Sequence, residues 1–100
     1  RGDKHGLVRA AAFRVDAQED NRVRMGLAWD DGMAAAFPFP FEFSVEYTVD
    51  SESLAVAFTV ANTGREPMPF SVGNHFYFDI PAVERGDWAL ECPCRRWARQ

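Results

Sequence analysis

Phe41-Glu42-Phe43-Ser44-Val45-Glu46-Tyr47-Thr48-Val49-Asp50-Ser51-Glu52-Ser53-Leu54-Ala55-Val56-Ala57-Phe58-Thr59-Val60-Ala61 holds two alternating runs around a polar break. In the first run the odd positions from Phe41 to Val49 are apolar and the even ones from Glu42 to Asp50 are polar. A period of two over that length means a strand with one buried face. In the second run the apolar residues move to even positions: Leu54, Val56, Phe58 and Val60. A hairpin looped through Asp50–Ser53 sets Val49 opposite Leu54, Tyr47 opposite Val56, Val45 opposite Phe58 and Phe43 opposite Val60. All four pairs then share one face. A slip of one residue would turn one apolar row into water, so the register is strongly set. The pattern predicts that Phe58 is core and that Phe58→Ala costs about 3–5 kcal/mol.

Working outward, the chain is 100 residues long, which is one domain or a piece of one. Its apolar share of 47% suffices for a core, so a wholly disordered chain is excluded. The net charge is −4 and the pI is near 5.0. No basic-aromatic stripe occurs, and the only basic cluster, Arg95, Arg96 and Arg99 around Trp97, reads as solvated surface. Nucleic acid is therefore not an expected partner. No apolar run is long enough to span a bilayer, so no membrane partner is expected either. Cys92 and Cys94 are badly spaced for a local disulfide or a four-ligand zinc site. Reduced thiols and a cytoplasmic location follow as expectations.

Upstream of the hairpin, residues 1–6 read as loop and Phe13–Val15 as a strand. Asp16–Asn21 reads as a turn, and Val23–Trp29 alternates as a half-buried strand that closes a second hairpin. Asp31 is placed to cap a short helix over Met33–Ala36, which Pro38 and Pro40 would stop. Downstream, Asn62-Thr63-Gly64 is a turn. Phe70–Ile80 alternates again, with Phe76, Phe78 and Ile80 on one side and His75, Tyr77 and Asp79 on the other. It reads as a strand, residues 81–87 as a loop and Trp88–Cys92 as a last strand. The count of about six strands with at most one helix predicts an all-β chain, an antiparallel β-sandwich whole or partial.

Two histidines are the chemical candidates. His75 lies in a row with a phenol and a carboxylate, and imidazole changes charge near neutral pH. It reads either as a general acid or as a structural histidine. His5 opens His5-Gly6-Leu7-Val8-Arg9, where glycine permits close backbone approach and Arg9 offers a forked donor to sugar oxygens or phosphate. It reads either as a ligand contact or as an exposed loop residue. No nucleophile elbow, phosphate loop or HExxH helix is present, and no ligand spacing supports a metal site.

Four motifs in order then carry a resemblance: His5-Gly6-Leu7-Val8-Arg9; Phe37-Pro38-Phe39-Pro40-Phe41-Glu42-Phe43; Ala61-Asn62-Thr63-Gly64-Arg65-Glu66-Pro67-Met68-Pro69-Phe70-Ser71; and Gly73-Asn74-His75. Together they resemble the aldose 1-epimerases, including relatives that act on hexose 6-phosphates, in the galactose mutarotase-like superfamily. The resemblance covers the chain to about Pro81 and implies that residues 1–100 form one partial domain, the middle of a large two-sheet sandwich. It implies interconversion of the α and β anomers of a sugar or sugar phosphate. His75 is implied as the general acid, with His5, Arg9 and Asn74 as substrate contacts. It implies no cofactor and no metal, because both half-reactions are proton transfers. The family's base carboxylate matches no position here. A non-catalytic carbohydrate-binding module on the same scaffold is the alternative. Neither the sugar nor the oligomeric state is specified by the sequence.

Overall fold

A computed structural model describes residues 6–93. Four strands form one antiparallel sheet in chain order: β1 (Arg14–Glu19), β2 (Arg22–Ala28), β3 (Phe41–Val49) and β4 (Leu54–Asn62). The chain is all-β and antiparallel, as the alternation predicts. The β3–β4 register is the expected one: Val49 faces Leu54, Tyr47 faces Val56, Val45 faces Phe58 and Phe43 faces Val60.

Local chemistry fixes that hairpin. The Asp50 carboxylate accepts the N–H groups of Glu52 at 2.8 Å and Ser53 at 2.7 Å, and the Ser53 hydroxyl at 2.8 Å. Asp50 N–H donates to the Ser53 carbonyl at 3.0 Å. An aspartate that bonds the backbone two and three residues on is a turn maker. These donors hold the carboxyl below its usual pKa, the Glu52 N–H contributing most.

One sheet face collects the apolar residues. Leu27, Phe41, Phe43 and Val45 are the buried core. Phe13 meets Phe43 edge-on at 6.0 Å, and Phe58 stacks on Phe43 at 6.0 Å with 18° between the rings. Phe58 is only half-buried, because β4 is the edge of the sheet and one flank of the ring stays open. That corrects the expectation of a full core position. The opposite face is polar: Arg22 reaches the carboxylates of Glu19 and Glu46, and Arg24 donates to the Ser44 hydroxyl at 3.3 Å. The hydrogen bond Arg22 donates to Glu19, reinforced by the negative charges of Glu19 and Glu46, raises the Arg22 pKa above its ordinary value.

Four further sequence expectations differ from the structure. The turn over Asp16–Asn21 shrinks to Asp20–Asn21, because the β1–β2 ladder continues to the pair Glu19–Arg22. It does so through a bulge: Val15 pairs with Met25 and Ala17 with Arg24, leaving Asp16 as an extra residue. Asp16 instead pairs its carboxylate with Arg14 at 2.7 Å, across Gly26, where an added Cβ would collide with both side chains. Asp31 does not cap a helix: the segment is a 3₁₀ turn over Asp31–Met33 that follows Asp30, with no side-chain cap. Trp29 Nε1 ties this connection down by donating to the Phe37 carbonyl at 2.8 Å.

The other two differences lie beyond β4. Residues 70–80 and 88–92 form no strands, so the strand count is four among the described residues. Alternation directs side chains, but a strand also needs a neighbour to bond, and no backbone ladder reaches these segments. The directional half of the pattern survives locally. The rings of His75 and Tyr77 lie 4.8 Å apart and those of Phe76 and Phe78 6.3 Å apart, as extended chain places residues i and i+2. Residues 82–87, read as loop, contain a 3₁₀ turn over Ala82–Asp87.

Candidate functional site

The motifs between β2 and the tail do structural work first. Asn62 Oδ1 accepts the Gly64 N–H at 2.9 Å, and Asn62 Nδ2 donates to the Glu66 carbonyl at 2.8 Å. Thr63 N–H donates to the Pro40 carbonyl at 3.0 Å. A Cβ on Gly64 would stand 3.2 Å from Pro40 Cδ, so the Asn62-Thr63-Gly64 turn is seated closely on the Phe37-Pro38-Phe39-Pro40 segment. This stitching sends residues 65–73 back across the apolar sheet face.

There they meet the N-terminal segment. A cavity of about 840 Å³ lies between the two, with Phe41, Phe43 and Val60 of the sheet as its floor. Gly6, Leu7, Val8 and Ala10 form one wall, and residues 68–73 the other; Ala36 and Phe37 complete the lining. Among the described residues, Ser71 supplies the only polar side chain of that lining. The fold thus brings together two segments far apart in sequence, one ending in Gly6 beside His5 and the other in Gly73 beside Asn74 and His75.

None of the described candidates is itself among the cavity-lining residues. His5 lies outside the described residues. Its neighbour Gly6 has φ +71°, the left-handed region that glycine enters without steric cost. A Cβ there would meet no atom within 4 Å, so backbone conformation, not crowding, requires the glycine. Arg9 is exposed, in the last turn of a 3₁₀ helix over Val8–Ala10 whose other residues line the cavity. Asn74 turns its side chain onto the chain itself: its Oδ1 accepts the His75 N–H at 2.8 Å. His75 is exposed, stacked at a 31° tilt on Tyr77, and stands past the cavity rim marked by Gly73. Asp79, also exposed, lies at a tight turn closed by the Ile80 N–H donating to the Phe78 carbonyl at 3.0 Å. Among the described residues no group of three or more metal-ligating side chains gathers. No helix among them is long and apolar enough to cross a membrane.

Sequence reasoning found the two histidine segments but not what they would flank. Phe37, Met68 and Phe70 stand in the motifs that carry the resemblance, but nothing in those motifs marks them as cavity lining. Periodicity is silent at Phe37 and Met68, which lie in proline-rich connections, and at Phe70 it predicts a strand rather than a cavity wall.

With this geometry in place, residues 2–91 match the model of the family described as aldose 1-epimerase. The chain belongs to the aldose 1-epimerase family. It is 32% identical over 92 residues to two proteins of Lactococcus lactis subsp. lactis, the plasmid and the chromosomal forms of Protein LacX. Each match covers 88% of this chain and 31% of the relative. The chain therefore spans under a third of the length of these curated relatives. No solved structure matches it.

Proposed function

We propose that this chain contributes the acid half of a sugar-anomer isomerase, an aldose 1-epimerase acting on a free sugar or sugar phosphate. In that reaction a base takes the proton from the C1 hydroxyl while an acid protonates the ring oxygen. The ring opens, the carbonyl carbon turns, and closure gives the other anomer. His75 is the proposed acid, with His5, Arg9 and Asn74 as contacts to sugar oxygens. The base is a carboxylate from outside these 100 residues. Both half-reactions move only protons, so the chemistry calls for no metal or nucleotide. A cytoplasmic setting accords with the supply of such substrates.

The observation that supports this reading is that the segment that follows His5 in sequence, from Gly6 to Ala10, and residues 68–73, which precede His75, converge on one cavity. A positioned general acid is worth about 10²–10⁴-fold in rate. Polarimetry of freshly dissolved α-glucose or α-galactose, with the protein in which this chain occurs, tests the proposal. His75→Ala is expected to lower the catalysed rate by about 10²–10⁴-fold with unchanged thermal stability. An unaltered rate would remove His75 from the mechanism. The 100-residue chain alone is expected to turn over little, since it lacks the base.

One observation favours the alternative of a non-catalytic carbohydrate-binding module: among the described residues that line the cavity there is neither an imidazole nor a carboxylate. Binding of a monosaccharide that shifts the His75 ring resonances, with no mutarotation by the whole protein, would establish that reading instead.

A further inference from the structure

We propose that Tyr77 is a positioning residue for His75: its ring face holds the imidazole plane and leaves both ring nitrogens open along the edge. The inference rests on His75 as the proposed acid and deepens that reading. The contact lies within three consecutive residues, so it is set by local backbone and not by what packs around the segment.

The geometry separates this pair from ordinary neighbours. Residues two apart on extended chain have roots about 6.6 Å apart. The rings of Phe76 and Phe78 stay close to that spacing, at 6.3 Å with 40° between their planes. The rings of His75 and Tyr77 lean together to 4.8 Å with 31° between their planes. That is an offset stack, face towards face, unlike the edge-on meeting of Phe13 and Phe43 at 72°.

Proton transfer to a sugar needs such a hold. The terminal torsion of a histidine is broad, so the backbone alone does not aim its nitrogens. The acid must direct one N–H at the ring oxygen, and a small misplacement costs rate steeply. A carboxylate or carbonyl that oriented the imidazole would occupy one of its nitrogens. A stacked phenol ring occupies neither. Asn74 fixes the root of the side chain: its Oδ1 accepts the His75 N–H at 2.8 Å, which sets the backbone from which the imidazole projects. Among the described residues no hydrogen bond or ion pair joins Asp79 to His75, and the chain turns at Asp79.

The test uses the whole protein in which this chain occurs. In the parent, nuclear Overhauser contacts are expected between the His75 and Tyr77 ring protons, with an upfield ring-current shift of the carbon-bound His75 protons. Tyr77→Leu removes the ring. It should abolish that shift and lower kcat for mutarotation by about 10–100-fold, with KM within about twofold. Tyr77→Phe keeps the ring and should retain both the shift and most of kcat. A near-parent kcat in Tyr77→Leu, with His75→Ala inactive, overturns this proposal alone. A Phe variant as impaired as Leu also overturns it, since the hydroxyl would then be the active part. A loss confined to KM does the same, by making Tyr77 a sugar contact. Absence of the ring contacts in the parent overturns it without any variant. No mutarotation by the parent, or an undiminished rate in His75→Ala, overturns the acid assignment itself and this inference with it.

Discussion

The β3–β4 hairpin and the segment at residues 70–80 share a sequence signature and end up as different structures. Both alternate apolar and polar residues, and both carry several phenylalanines. In the hairpin the rows become a ladder, and Phe41, Phe43 and Val45 are buried. In the tail segment Phe70, Phe76 and Phe78 are all more than half exposed. The two regions differ in closure. The hairpin brings its own partner through a four-residue loop organised by Asp50. The tail is led in by Pro67 and Pro69, which lack a backbone donor, and among the described residues it has no adjacent strand to bond. Alternation tells which way a side chain points; burial needs something on the far side.

Substitutions sharpen this contrast. Phe43→Ala should cost about 3–5 kcal/mol in urea unfolding, as removal of a buried ring does. Phe78→Ala should stay within about 0.5 kcal/mol, the range for exposed sites. Similar losses at both positions would mean that the tail is packed after all. Phe58→Ala should fall between them, about 1.5–3 kcal/mol, because its ring stacks on Phe43 yet stays half open. Asn62→Ala should cost about 0.5–1.5 kcal/mol through its lost bonds to Gly64 and Glu66. The same variant should loosen residues 65–73, visible as faster amide exchange there with β2 and β3 unaffected.

The smallest effect concerns pH. The Asp50 carboxyl is held below its usual pKa in the folded state, so the folded chain binds this proton more weakly than the unfolded one. Its contribution is therefore complete above the ordinary carboxylate range and fades as pH falls through the lowered folded-state value. Melting temperature measured down an acid series should drop less steeply in Asp50→Ala than in the parent chain. Parallel acid profiles would show that the turn does not depend on the ionised group.

How much was legible follows from the same contrast. The hairpin could be read because its two rows lock each other into a single register. The second hairpin was recognised, but its length was not. Asp16 looks like a turn residue, and only the partner strand shows that it is a bulge within a longer ladder. His75 and the His5-Gly6 segment were found through residue chemistry and motif order. The cavity between their segments was not, because its floor comes from the sheet and its walls from irregular chain. Nothing in local periodicity encodes a meeting between residues 6–10 and 68–73.

The extra residue in β1 carries a consequence for how this chain can vary. Removing Asp16 would leave each neighbour of β2 where it is, since Val15 and Ala17 already face the adjacent positions Met25 and Arg24. The loss would be one exposed ion pair with Arg14, an interaction of small worth at a wetted surface. The same single deletion inside Phe41–Val49 would send half the greasy row to the wrong side. Length changes in this chain should therefore be tolerated at its first strand and purged at its third.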